Sequence, residues 1–513
     1  KYYTSVKVRI HSESDTPYFF YLNYNGENQP NRWDSILECP GQRYSDGWVT
    51  CSGEFTVNEF MDRADDMNLL FHNSNNQNIE ITVDFDDISI TQINYVESLT
   101  VKTDDAQCWG IGSEIHVGTS AYYSFSRIAN SYTTVIESIS DNNDGTSSLG
   151  LAVSPTIPII SKAEDDDFAA DVALLSRNFK VISGTEEDKK GAYLQVLHTP
   201  DIAQIIEGVE FDGMGRAGEE DRYPLQLLYS GSVEGTSIDK NTILRSNMRC
   251  ITIQGTGNAT VSNNIAALNK GHCIYVGYES QDNLIQGNFV SDTTYISWQD
   301  RVPLELDDHC AAFRSRYGPN DYVANKAVGS HYYGFQFDNH HQTYFEDTSQ
   351  GLPNPRQLPM GEFSQNEARS NGNSGMLFHH YEQLESIFLS NLKSIKNRYY
   401  GLYTYNAARV EISGSLFAES VLYNVDFRWS DEMTMTDTDI RGISSATKYL
   451  THPSYFEKPC KGNYKSSPVG YRMQTALFRN YNIPRVTRGA RLSDVHFSLF
   501  DQPDDDECSG SVP

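Results

Sequence analysis

The sequence predicts an all-β protein, a parallel β-helix preceded by a small antiparallel β-sandwich. Three observations carry this. Between residues 236 and 441 the chain repeats itself about every 23 residues. The repeats are rich in β-branched residues and bounded by Gly and Asn. The first 95 residues instead alternate apolar and polar side chains with a period of two. A self-similar unit this short cannot bury an apolar face alone and must stack on its neighbours, as the coils of a β-helix do.

The sandwich is expected over residues 1–95. Val6-Lys7-Val8-Arg9-Ile10, Phe19-Phe20-Tyr21-Leu22-Asn23-Tyr24 and residues 79–85 alternate as half-buried strands. The last run ends in Asp86-Asp87-Ile88-Ser89-Ile90. With residues 48–57 and 67–71, this ending resembles the closing and middle strands of jelly-roll carbohydrate-binding modules. That resemblance implies exposed aromatics that stack on sugar rings, with Trp33 and Tyr44 as candidates. Cys39 and Cys51 flank a Pro-Gly turn and are expected to form a hairpin disulfide. Asp86 and Asp87 are the candidate ligands for a structural calcium, which prefers several carboxylate and carbonyl oxygens together.

The coil is expected over residues 96–445. Asn241, Asn264 and Asn288 fall in register within Ile238-Asp239-Lys240-Asn241, Val261-Ser262-Asn263-Asn264 and Ile285-Gln286-Gly287-Asn288. Their amides are predicted to bond from coil to coil as a ladder. Leu389-Ser390-Asn391, Ile412-Ser413-Gly414 and Met435-Thr436-Asp437 continue the frame. A further strand per coil begins at Cys250, Cys273, Cys310, Gly334, Gly375, Gly401 and Asn424. Its irregular steps place inserted loops near 291–308 and 339–372. Cys250 and Cys273 occupy equivalent positions in adjacent coils, as a disulfide or as stacked thiols; the pairing of Cys108 and Cys310 stays open. Residues 446–513 are expected to cap the coil and end in an acidic tail, with Cys460 and Cys508 pinning that segment. Asn258-Ala259-Thr260 is a glycosylation sequon at a turn.

Alternation along the strand that begins at Cys250 places Ile251, Ile253, Phe335, Phe337 and Phe378 inside and their neighbours outside. The outward set is Gln254, Gly277, Arg314, Asp338, His379, Tyr405 and Arg428 in one column. The second column is Thr252, Tyr275, Ala312, Gln336, Leu377, Tyr403 and Asp426. Arg314, Gln336, Asp338, His379, Tyr403, Tyr405, Asp426 and Arg428 are therefore the candidate glycan-binding residues, since planar faces stack on sugars and charged groups bind their hydroxyls or carboxylates. Asp338 and Asp426, three rungs apart at ~14 Å, are too distant for the paired carboxylates of glycoside hydrolysis. His379 beside Tyr405 is the alternative catalytic pair, an acid and a base for lyase-type proton abstraction. His340-His341 and His379-His380 resemble metal-ligand doublets, but consecutive strand residues face opposite ways, so they are read as surface.

From residue 107 onward the chain resembles a second family. Trp109-Gly110-Ile111-Gly112-Ser113-Glu114-Ile115 is similar to its W-x-x-G-D-E-I element, and residues 171–182 to its A-E-V-A-L-L-S-R-N-I-V-I strand. Val209-Glu210-Phe211, Met214-Gly215 and Arg222-Tyr223-Pro224 follow in that family's order. This is the core of the G8-domain proteins, which include fibrocystin and the cell-migration-inducing and transmembrane hyaluronidases. The resemblance implies an extracellular right-handed β-helix associated with glycans. Two departures bear on activity. Where the family continues I-H-F-H, this chain reads Leu225-Gln226-Leu227-Leu228, and the glycine-rich G8 module has no room ahead of Trp109.

A formal charge of −28 repels nucleic acid, anionic lipid and polyanionic glycans at long range, and no apolar run reaches the length of a membrane span. Eight cysteines fit an oxidising compartment. The sequence thus points to a secreted or cell-surface structural or adhesive protein whose partners are glycans, matrix or surface proteins, or further copies of itself. The missing histidines incline it away from catalysis. The alternative is a secreted polysaccharide depolymerase that uses the outer face of the coil.

Overall fold

The computed structural model describes residues 2–10, 18–25, 32–39, 49–55, 66–73, 83–92, 98–121, 131–153, 169–183, 189–197, 202–297, 299–300, 302, 307–338, 357–381, 384–420, 422–442, 469–474 and 490–498. Before residue 98 and in 469–474 it describes backbone pairing alone. Tyr2–Ile10 pairs antiparallel with Val49–Phe55 and Val83–Gln92, and Tyr18–Asn25 with Arg32–Cys39 and Asp66–Asn73. They form two three-stranded antiparallel sheets, in line with the antiparallel strands that the alternation predicts. The proposed bonds of Cys39, Cys51, Cys460 and Cys508, the ligands Asp86 and Asp87, and the side chains of Trp33, Tyr44, His340 and His341 lie outside the described residues.

Two long parallel sheets form the coil. One holds ten strands, from Leu194–Leu197 to Val469–Gln474. The other holds nineteen, because two short strands of each rung, such as Thr260–Ser262 and Ile265–Ala267, meet at a tight corner. Every rung takes that corner with one residue in the left-handed region: Lys240, Asn263, Gly287, Ala324, Gln365, Asn391, Gly414 and Asp437 all have φ between 46° and 64°. The next residue turns inward. There stand Asn241, Asn264 and Asn288, and the column runs on through Asn325 and Asn366. The amide oxygen of Asn241 accepts from the Val209 backbone N–H, and from Asn264 onward each amide oxygen accepts from the backbone N–H and the side-chain amide of the Asn one rung before. Similar bonds link Asn283 to Asn320 and Asn371 to Asn397 at other corners.

The interior is apolar, and Ile251, Ile253, Phe335, Phe337 and Phe378 are buried in it as expected. Aromatic rings repeat from rung to rung: Phe313 stacks on Phe335 at 4.6 Å and Phe337 on Phe378 at 5.1 Å. Cys250 and Cys273 form a disulfide across adjacent rungs, with Cα atoms 4.5 Å apart. Cys108 and Cys310 are free thiols.

The boundaries of the coil differ from those expected. The described strands between residues 98 and 174 form not coil but a five-stranded antiparallel sheet in the order Val172–Leu174, Glu114–Val117, Tyr132–Asp141, Thr146–Leu151, Ser98–Lys102. Its strands keep a period of two, as in the alternating burial of Thr146–Leu151. Parallel pairing begins at Phe179–Ile182. At the other end Val469–Gln474 and Ala490–Ser498 add a rung beyond residue 445. The second inserted loop is shorter than expected, because Phe363–Ser364 and Glu367–Arg369 are coil strands.

The antiparallel sheet docks on the second row of short strands and makes that face interior. Gly118 comes so close that a Cβ would meet Val328 at 3.3 Å. Asp171 accepts from Lys326 at 2.5 Å and faces Arg369 at 3.4 Å, and Lys396 donates to the Ser120 carbonyl at 3.2 Å. His116 reaches the Ser291 hydroxyl at 2.9 Å and the Asp292 carboxyl at 3.5 Å.

Burial depresses His116 to about 4 and raises Asp292 to about 8, so the pair is held neutral. Between pH 4 and 6.5 the two linkage slopes oppose each other: His116 costs stability as pH falls, and Asp292 costs it as pH rises. From the ordinary histidine value to about 8 only the Asp292 slope remains. We expect stability to drop by about 2 kcal/mol as pH rises across that interval. Thermal melts over this range test it; Asp292→Asn should flatten the dependence.

Candidate functional site

The solvent side of the ten-stranded sheet carries the candidate residues, on columns fixed by strand register. Thr252, Tyr275, Arg314, Gln336, Leu377, Tyr403 and Asp426 form one column. Asp338, His379, Tyr405 and Arg428 stand on four consecutive rungs of the next. Arg314 therefore belongs to the Tyr275–Gln336 column and not to that of Asp338. The strand Ala311–Ser315 is slipped by two residues from the expected frame, which preserves which side chains face out but moves Arg314 one column over.

Exposure divides the face. Arg314, Gln336 and Asp426 are at most 3% exposed, so the solvent-facing role expected of them is corrected. The large neighbours Tyr275 and Leu377, also buried, flank Arg314 and Gln336 in their column, and Asp426 pairs with Arg428 at 3.3 Å. Arg314 faces Asp338 at 3.6 Å. Further up the coil, Arg249 lies between the rings of Tyr223 and Tyr275, its guanidinium carbon 4.3 and 3.8 Å from their centroids, and pairs with Asp307 at 3.0 and 3.3 Å. Asp307 comes from the first inserted loop, whose Ile296 and Val302 pack with Tyr223 and Met248. This loop thus covers the early rungs.

Over the later rungs the face is aromatic and partly open. Tyr400 stacks on Tyr403 at 4.6 Å and on Tyr423 at 6.1 Å, and Tyr405 lies 4.7 Å from both His379 and Trp429. The Arg428 guanidinium sits 5.2 Å from the Tyr403 centroid and approaches the Tyr400 hydroxyl at 3.4 Å. Burial raises the Tyr403 phenol above its ordinary value, so it remains a neutral hydroxyl. His379 Nδ1 is 3.1 Å from Asp338 Oδ1, its neighbour in the expected column. Tyr400 and Trp429 were missed. Tyr400 opens its strand at the same parity as the inward Leu402, and Trp429 has a positive φ past the strand end.

The histidine doublet differs from expectation. His380 leaves the strand with φ 58°, so its ring lies 4.3 Å from that of His379 and both approach Tyr405. Among the described residues no group of three or more His, Cys, Asp or Glu is arranged to hold a metal ion. Asn258 is exposed at its turn with φ 62° and donates to the Ser232 hydroxyl at 2.8 Å.

Fold and face together define a parallel β-helix with an aromatic, charged outer sheet. Residues 189–376 match the CEMIP beta-helix family, and the chain is G8/CEMIP-like along its coil, as the motifs from Trp109 onward imply. A G8 domain-containing protein of Dictyostelium discoideum is 26% identical over 348 residues, 63% of this chain and 22% of that protein. The mouse cell migration-inducing and hyaluronan-binding protein is 27% identical over 262 residues, 41% of this chain and 19% of that protein. The chain spans about a quarter of the length of the first curated relatives it matches, from 22% to 26%. Among solved structures, the periplasmic alginate epimerase AlgG is similar with a TM-score of 0.31 and 12% identity, over 62% of this chain and 68% of that one. No helix among the described residues is long and apolar enough to cross a membrane.

Proposed function

We propose that this chain is the glycan-associated part of an extracellular or cell-surface protein, structural or adhesive in character, and that a carbohydrate chain lies along the later rungs of the ten-stranded sheet. The observation that carries the proposal is the cluster of Tyr400, Tyr403, Tyr405, Tyr423 and Trp429, whose rings neighbour one another across two adjacent rungs beside Arg428 and His379. Sugar rings stack on such faces, and the neighbouring charges orient hydroxyls. Relatives described as a cell surface hyaluronidase and as a hyaluronan-binding protein support the assignment to glycans.

Affinity electrophoresis against a panel of neutral and acidic polysaccharides tests the proposal. At least one should retard the protein, and Tyr403→Ala should weaken that interaction by several-fold to about tenfold, the range expected from one aromatic contact. Unretarded migration against every polysaccharide would remove the proposal.

A further inference from the structure

We propose that Asp338, His379, Tyr405 and Arg428 form a proton-transfer site that cleaves a polymer of 4-linked uronate residues by β-elimination; this rests on the glycan assignment of the same face.

Four functional side chains occupy consecutive rungs of one column, each ~4.8 Å from the next. His379 and Arg428 are about a quarter exposed, at 24% and 27%, while Asp338 is nearly buried behind them. Asp338 Oδ1 lies 3.1 Å from His379 Nδ1, which orients the ring and makes Nε2 the atom that exchanges a proton with a substrate. Arg314 holds the other oxygen of Asp338 at 3.6 Å. The rings of His379 and Tyr405 are 4.7 Å apart, and Arg428 stands on the far side of Tyr405.

This order selects the chemistry. Hydrolysis by paired carboxylates needs a separation of roughly 5 to 9.5 Å. Asp338 and Asp426 are three rungs apart, and Asp426 is fully buried. A histidine and a tyrosine side by side can instead take one proton and give another. The C5 hydrogen of a uronate becomes removable when a cation neutralises the adjacent carboxylate, and a leaving group at C4 then lies β to it. Placing the carboxylate on Arg428 brings C5 over Tyr405 and O4 toward His379, because carboxylate carbon, C5, C4 and O4 follow one another as the rungs do. In the reactive state the pair holds a Tyr405 phenolate and a His379 imidazolium, with the same number of protons as the neutral pair. Tyr405 Oη takes the C5 proton, the C–H electron pair forms the C4=C5 double bond, and the C4–O4 bond breaks. O4 takes its proton from His379 Nε2. Transfer of one proton from Tyr405 to His379 restores the site, and no water or other co-reactant is consumed. Tyr405 and His379 are the catalytic residues, and Asp338 is a positioning residue.

The purified chain is incubated with polygalacturonate, polymannuronate and hyaluronan, and the ultraviolet absorbance of the C4=C5 bond is followed, with product masses. The expected products are lighter than hydrolysis products by one water. Tyr405→Phe and His379→Ala should each lower the rate by roughly 100-fold or more while binding of the polymer persists. Asp338→Asn should shift the pH profile as well as lower the rate, which a merely structural role would not do. With a net charge of −28, turnover of a polyanion should rise with ionic strength as repulsion is screened. Circular dichroism melts establish that each variant is folded. Saturated products, or no cleavage of a polymer that binds, would overturn the elimination and leave the glycan assignment standing; loss of binding to every polysaccharide would remove both.

Discussion

Asn264→Leu should destabilise the coil by at least about 3 kcal/mol, because several buried polar groups lose their partners at once. Asn264 is 1% exposed. Its amide oxygen accepts from the backbone N–H and the side-chain amide of Asn241, both at 3.0 Å, and its own amide donates to the Ile238 carbonyl at 2.8 Å and to Asn288 at 3.0 Å. Leucine is similar in size and removes all four bonds. Water cannot replace them at a corner sealed by the rungs above and below. Asn391→Gly is the matched control. Asn391 occupies the exposed left-handed position at the equivalent corner of a later rung, with φ 53°, where glycine is at no disadvantage, so that variant should be near neutral. Denaturant melts of the two variants check the expectation. Equal stabilities would show that the ladder does not hold the corner.

The contrast between these two asparagines shows what was legible in the sequence. The period and the frame were, because a rung must place an apolar residue inside and a left-handed residue at the corner, and several rungs place a hydrogen-bonding residue after it. Asn241, Asn264 and Asn288 keep that spacing at steps of 23 and 24. Asn325 and Asn366 belong to the same column but follow the inserted loops, which break the spacing without breaking the stack. The antiparallel sheet of residues 98–174 was not legible as a separate layer. Its strands have the same β-branched composition as the coil, and what distinguishes it is the pairing direction, which no local pattern encodes.

At the candidate site, parity was legible and register was not. Alternation placed Asp338, His379, Tyr405 and Arg428 on one face in the correct order, because a slip by two residues preserves which side a residue faces. The same insensitivity put Arg314 in the wrong column. Burial was harder still. Whether an outward side chain is solvated depends on what lies over the strand, and for the early rungs that is a loop contributed from twenty or more residues away in the chain. Arg249 carries no sequence signal of its partner Asp307, which lies on a different rung and outside the repeat.

That loop anchor supplies the second large effect. Asp307→Ala should cost about 3 to 5 kcal/mol, the range for removing one member of a buried ion pair. Arg249 and Asp307 have side chains at most 1% exposed. Without the carboxylate, the guanidinium remains enclosed between Tyr223 and Tyr275. Ring faces attract a cation, but by less than the loss of a buried carboxylate partner costs. The loss should therefore come from the charge left behind rather than from the contact removed, and this has its own signature. Arg249→Met combined with Asp307→Ala should recover most of the stability, since a thioether of similar length packs between the same rings with no charge to solvate. A double-mutant cycle measured by denaturant melts gives the coupling directly. Additive losses in the double variant would mean that Asp307 acts through the backbone of its own loop and not through the charge of Arg249.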